Sequence, residues 1–262
     1  MIDALNISHL NVTLGGKAVL RDINVAVAAG QFVGIIGENG AGKTTLLKAL
    51  LGMIRPDSGS IESFGHPVGH GSKSFGYVPQ RVALDPNLPM RARDFVGLGF
   101  DGDRWGFGFP SQAKRDRVDA ALASVDATRY ADTPVGRLSG GEQQRLFVAQ
   151  ALLGDPKILL LDEPLSNLDL RSASGVVEVI DRARKALGVT VLLVTHDVNP
   201  LLPVMDNVMY LASGNAAFGS VESIITTEGL SALYGYPVQV LRIGGRIVVL
   251  TGTDTAHGCT EI

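Results

Sequence analysis

A single cysteine in 262 residues, Cys259, leaves no partner for an internal disulfide. That excludes a disulfide-stapled scaffold and fits a reducing compartment. Long hydrophobic runs are also missing. The most apolar stretches, residues 157–162 and 189–195, fall far short of the ~20 residues a membrane-spanning helix needs. Any membrane association is therefore expected to come through a partner. The opening residues lack the basic and then apolar regions of a signal peptide. Positive charge is not in excess: the net charge is −3, which gives no basic footprint for nucleic acid, and none is expected as a partner. No internal repeat and no low-complexity tract is present.

What the sequence does contain is a strand–helix rhythm. Residues 4–14 and 19–27 flank Gly15 and Gly16 and predict a hairpin-like start. An apolar run, 31–36, closes on a glycine-rich loop, and a helix is expected over 43–51 with Gly52 as its cap. Residues 86–134 change character. They carry Pro, Gly and Arg, the string from Trp105 to Phe109, and a helical stretch near 112–125. Together with the helix that follows they predict an inserted helical subdomain over about 86–150. Residues 158–161 and 189–194 are continuous apolar runs, as in strands covered on both faces. Between them, a helix over 172–187 aligns Val176, Val179, Ile180, Ala183 and Leu187 on one face. Alternating strands and helices imply a parallel sheet. After Gly219, short helices and a hairpin (238–243 and 246–250, across Gly244 and Gly245) read as an accessory tail. The expected division is residues 1–219 as the main domain and 220–262 as an extension.

Gly37, Glu38, Asn39, Gly40, Ala41, Gly42, Lys43 and Thr44 match G-x-x-x-x-G-K-[ST] in full, between a strand and a helix, with Thr45 following. Glycines let the backbone turn its N–H groups inward, and those donors and the helix start attract anionic phosphates. Lys43 is expected to reach the terminal phosphates and Thr44 to ligate Mg²⁺. The motif alone says only that a nucleoside triphosphate binds. The strand over 157–161 ends in Asp162 and Glu163, two carboxylates that a buried strand would not carry without a use. Asp162 is the expected metal ligand and Glu163 the general base for an attacking water. His196 ends the next strand, at the sheet edge where ligands of open α/β folds bind. It is placed to meet a γ-phosphate or orient the water. Gln80, after Tyr77, Val78 and Pro79, is a candidate for both metal and water.

Leu138, Ser139, Gly140, Gly141 and Glu142 form a capping-box helix start weakened by two glycines. Such glycines make sense where an anion must approach the first-turn N–H groups. A second phosphate-binding helix tip in one chain suggests that two copies sandwich two nucleotides head to tail, each between the loop of one chain and residues 139–141 of the other.

Taken in order, residues 37–44, Gln80, 138–142, 158–163, 166–169 and His196 resemble the ATP-binding subunits of ABC transporters, over roughly residues 4–219. The resemblance implies an α/β P-loop NTPase (RecA-like) core with an N-terminal antiparallel β subdomain and an inserted α-helical subdomain. It implies ATP and Mg²⁺ as cofactors, an ATP-bound homodimer, a polytopic membrane permease docking on the helical insertion, and an extracytoplasmic substrate-binding protein acting through the permease. The expected location is peripheral, on the cytoplasmic face of the cell (inner) membrane. Asp169 would lie in the segment that communicates across the dimer. The family stacks adenine on an aromatic just before the first hairpin turn; here that position is Leu14, which reduces stacking to apolar contact. The insertion and the tail resemble importers of manganese, zinc or iron. Iron–siderophore or cobalamin import is the nearest alternative cargo. A DNA-repair or chromosome-organising ATPase of the same superfamily would carry a long coiled coil, and the interval 45–138 has no heptads. His257, Cys259 and Glu261 read as part of a terminal tail, with transition-metal contact as the alternative.

Overall fold

The computed structural model describes residues 2–69, 71–80, 84–101 and 111–251. The string from Trp105 to Phe109 and the residues His257, Cys259 and Glu261 lie outside them. In chain order the elements are β1 (Asp3–Leu14), β2 (Lys17–Ala28), β3 (Phe32–Gly37), α1 (Lys43–Leu50), β4 (Ser58–Ser63), β5 (His66–Pro67), β6 (Phe75–Val78), α2 (Ala92–Asp101), α3 (Gln112–Ser124), α4 (Gly140–Leu152), β7 (Ile158–Asp162), α5 (Leu170–Leu187), β8 (Thr190–Thr195), β9 (Asn207–Ala212), β10 (Asn215–Gly219), α6 (Val221–Ile224), α7 (Thr227–Tyr234), β11 (Val238–Ile243) and β12 (Arg246–Thr251).

The central sheet runs β10-β9-β3-β8-β7-β6 and is parallel except for β10. Its middle strands are buried along their whole length, which is why they read as unbroken apolar runs. Side chains alternate between two cores, as strand geometry requires. Leu159, Leu161, Val191 and Leu193 face the helices α2–α5. Ile158, Leu160, Leu192 and Val194 face α1 and the antiparallel sheet β2-β1-β4-β5. Helix α1 is thus sandwiched between two sheets, and the phosphate-type loop that precedes it is held from both sides.

A third core joins the C-terminal residues to the central sheet. Ile36, Val198, Val208, Tyr210 and Ala212 pack there against Val221, Ile225, Leu230, Tyr234, Val238 and Ile247. The tail is therefore docked on the central sheet by buried apolar contact.

Some local expectations shift. Leu187 is 54% exposed, because α5 ends there and Gly188 turns the chain away in a left-handed conformation; Ala173 and Val177 complete the buried stripe instead. Helix α1 is capped by Leu51, and Gly52, at positive φ, follows it.

Candidate functional site

Strand β3 delivers the loop. It is paired on both sides, by β8 and β9, and its last residue, Gly37, stands opposite Leu211. A Cβ on Gly37 would lie 2.2 Å from the Leu211 carbonyl oxygen, so only glycine fits this crossing. Gly42 has a left-handed backbone and provides no side-chain cap to α1. The start of α1 therefore keeps first-turn N–H groups for an anion. Lys43 folds back into the loop: its Nζ donates to the carbonyl oxygens of Gly37 at 2.6 Å and Glu38 at 2.9 Å. Its side chain is buried, with 6% of the residue exposed. Burial lowers the ammonium pKa, and the carboxylates of Glu163, Asp162 and Glu38 oppose that shift. Ala41 is buried beneath the loop, while Glu38, Asn39, Gly40 and Thr44 are exposed and Thr45 is half-buried.

The carboxylates arrive on β7. Asp162 is only 3% exposed, and burial, followed by the adjacent Glu163 charge, raises its pKa. Glu163 has a left-handed backbone, φ 47°, unusual for a residue with a side chain, while its N–H donates to the Val194 carbonyl of β8 at 3.0 Å. The Gln80 Nε2 donates to Glu163 Oε2 at 2.9 Å. Exposed His196, just beyond β8, lines a cavity of about 170 Å³ together with Glu163, Ser166, Asn167 and Leu168. Lys43, His196, Asp162, Glu163 and Gln80 thus gather at the C-terminal edge of the adjoining strands β3, β8, β7 and β6.

Sequence reading missed Tyr77. Its hydroxyl donates to Asp162 Oδ2 at 3.5 Å, and burial, then Asp162, raises its pKa. Because β6 pairs in parallel with β7, Tyr77 lies beside Leu160 and points its ring toward the carboxylate end. That register is not encoded in the local string around Tyr77.

Ser139, Gly140, Gly141 and Glu142 stand apart from the loop, at the start of α4. The capping box is formed: Ser139 Oγ accepts the Glu142 N–H, and Glu142 Oε2 accepts the Ser139 N–H at 3.1 Å and its hydroxyl at 2.8 Å. Arg129 donates to the other carboxylate oxygen. Gly140 borders a groove shared with Gln80, Gln143, Ser166 and Asn167. Asp169 caps α5, accepting from the Ser172 N–H at 2.9 Å and hydroxyl at 2.7 Å. Those bonds hold its carboxylate below the ordinary range. Leu14 ends β1, opposite Lys17, and is 42% exposed.

An uncapped helix start, a lysine pinned by loop carbonyls and a carboxylate pair at one sheet edge suit phosphate binding and water activation. Comparisons with known proteins agree. The family described as "ABC transporter" matches residues 20–166. The chain is 35% identical, over 231 residues, to the "Zinc import ATP-binding protein ZnuC" of Yersinia pseudotuberculosis serotype I (strain IP32953), covering 88% of this chain and 85% of that protein. It is also 35% identical, over 257 residues, to the "Manganese transport system ATP-binding protein MntB" of Bacillus subtilis (strain 168), covering 98% and 99%. Among solved structures, one described as an inward-facing conformation of a putative metal-chelate type ABC transporter superposes with a TM-score of 0.79 at 28% identity, covering 96% of this chain and 99% of that one.

Proposed function

Because the chain belongs to the ABC transporter family and is an ATP-hydrolysing subunit of that kind, we propose that it energises uptake of a transition metal ion, zinc, manganese or iron, through a membrane permease. Subunits of import systems work with such a permease, and no described helix is long and apolar enough to cross a membrane itself. The cargo reading is supported by near full-length similarity to relatives named for zinc and for manganese. We read residues 1–219 as the ATPase domain, with its helical subdomain at about 86–150, and 220–262 as an accessory extension.

The observation that carries the chemistry is the pinned lysine above an uncapped helix start. Gly37, Glu38, Asn39, Gly40, Ala41, Gly42, Thr44 and Thr45 cradle the triphosphate of ATP, and Lys43 neutralises its terminal oxygens. A hard dication fits the donors Thr44, Gln80 and Asp162, since all are oxygen ligands and Asp162 is a buried carboxylate beside a second negative charge. Mg²⁺, when bound there, would neutralise phosphate charge. Glu163 takes the proton of the attacking water, held in place by Gln80, and His196 orients water or the γ-phosphate. Bond cleavage yields ADP and phosphate. Leu14 covers the adenine by apolar contact.

Ser139 and Glu142 bond to each other, and Glu142 to Arg129, and none of these bonds reaches the loop of residues 37–44. That supports a head-to-tail homodimer in which they meet the partner's nucleotide, with Asp169 at the seam. A groove of about 500 Å³ between α2 and α3, bordered by Arg91, Arg93, Asp94, Leu98, Arg115 and Asp119, suits a short helix of the permease. An extracytoplasmic binding protein would act through that permease, placing this chain peripherally on the cytoplasmic face of the membrane.

Glu163→Gln tests the site. It is expected to bind ATP, run as a dimer on sizing with ATP and Mg²⁺, and lose turnover by about 10²–10⁴-fold. A variant that stays monomeric under those conditions overturns the sandwich. For cargo, deletion of the chain in its host should lower accumulation of zinc, manganese or iron supplied as the free ion. A defect confined to an iron chelate would reject the free-ion reading.

A further inference from the structure

The loop that carries His196 is bolted to the C-terminal hairpin by one side chain. Asn199 opens a short 3₁₀ turn, Asn199–Leu201. Its Oδ1 accepts the N–H of Ile247, on β12, at 2.8 Å, and its Nδ2 donates to the carbonyl of the same residue at 3.0 Å. The amide thus pairs with both backbone groups of Ile247, as a neighbouring strand would. The second Nδ2 proton goes to Asp197 Oδ1 at 2.8 Å, an oxygen that also accepts the Asn199 backbone N–H at 2.9 Å. An asparagine amide has two N–H donors and one acceptor oxygen, and here each has a partner. Aspartate lacks the donors and leucine lacks all three.

Asp197 is itself fixed on its other side. Its N–H donates to Thr195 Oγ1, and that hydroxyl donates to the Asp197 carbonyl, both at 3.1 Å. Val198 is buried in the third core with Tyr234, Val238 and Ile247. His196 therefore sits between two anchored neighbours, Thr195 on the sheet and Asp197 on the hairpin side, while its own side chain is exposed beside Glu163. Closing off the hairpin would need only the two bonds to Ile247. The bond to Asp197 is superfluous for that task, and it is the one that reaches the residue next to His196.

We propose that Asn199 is a positioning residue for His196, and that through it the C-terminal hairpin sets the hydrolytic competence of the nucleotide site. The inference rests on the assignment of His196 to that site. The extension is then a control element of the ATPase: displacing the hairpin slows turnover without loosening ATP.

The test compares full-length wild type, Asn199→Ala and Asp197→Ala in steady-state Mg-ATP hydrolysis, nucleotide titration, thermal melting and amide hydrogen exchange. Asn199→Ala removes the three side-chain bonds and keeps only its backbone N–H to Asp197; Asp197→Ala removes the half that reaches His196 and leaves the hairpin bonded. Both are expected to lower kcat by on the order of 10–100-fold with KM and nucleotide Kd within about twofold, as for a misplaced catalytic group. Exchange at Ile247 should quicken in Asn199→Ala and not in Asp197→Ala. A folded Asn199→Ala with wild-type kcat overturns the proposal, as does a kcat loss that appears only with a lowered melting temperature and raised KM. Should Asn199→Ala not fold, Asp197→Ala decides alone, wild-type kcat being the refuting result. Absence of hydrolysis by the wild type would instead strike the reading on which the proposal rests.

Discussion

Replacing Gly37 by alanine probes how the phosphate loop is seated on its neighbouring strand. The added Cβ would lie 2.2 Å from the Leu211 carbonyl oxygen, 3.1 Å from its carbon and 3.3 Å from the Ala41 Cβ. Ordinary Cβ contact starts near 3.4 Å, so the loop and β9 must separate by about 1.2 Å. The obstructing atoms are backbone of the fully buried Leu211 on β9 and cannot swing aside. Overpacking of this sort costs roughly 1–3 kcal/mol, or about 2–12 °C in melting temperature at 2–4 °C per kcal/mol for a chain near this size. A shift of about 1 Å in a positioning element also costs on the order of 100-fold in turnover. Gly40→Ala is the control. Its backbone is left-handed, φ 83°, but nothing lies within 4 Å of the added atom, so it carries only conformational strain of about 1–2 kcal/mol. Calorimetry and steady-state ATPase on both variants should place Gly37→Ala below Gly40→Ala in melting temperature and activity. Equal melting of Gly37→Ala and wild type would refute the steric argument.

Two further outcomes follow from other parts of the fold. The Arg184 and Asp181 side chains are each 9% exposed on α5, and Arg184 also donates to Asp206 and to the Gly30 carbonyl; Arg184→Ala leaves Asp181 with only the exposed Lys185 ammonium, at 2.7 Å, and should lower unfolding free energy in urea by about 1.5–3 kcal/mol. For Glu142, burial pushes the carboxyl pKa up, but bonds from Ser139 and Arg129 outweigh it and the net shift is downward. Its stabilisation is therefore complete above the ordinary glutamate pKa and is lost as pH falls through the lower native value. Glu142→Gln should flatten the acid side of the melting-temperature profile, and an unchanged profile would show that the capping box contributes nothing there.

Much of the site was legible because its signals are local. The glycine pattern of residues 37–44, the Ser139–Glu142 spacing and the strand ending in Asp162 and Glu163 each depend on a few consecutive residues, and each appears where expected. Strands β4 and β9 were not, since β1 and β3, with which they pair, are distant in sequence; β5 and β10 are short pieces that turn back on β4 and β9 and carry no alternating apolar pattern. The burial of Leu187 was overestimated because helical periodicity says nothing about where the neighbouring layer stops. The contacts of Tyr77 and Asn199 depend on strand register and on tail docking, which no local pattern records.

The central position of β3 has a consequence for biogenesis. Both strands that flank it, β8 and β9, come from residues 190–212, more than 150 positions after it leaves the ribosome. A nascent chain extending only to residue 166, where the family match ends, would hold β3 with both edges bare. The loop after it would then lack the Leu211 backbone that seats Gly37. Nucleotide can thus stabilise this subunit only late in synthesis, and until then the bare edges of β3 are open to pairing with another molecule.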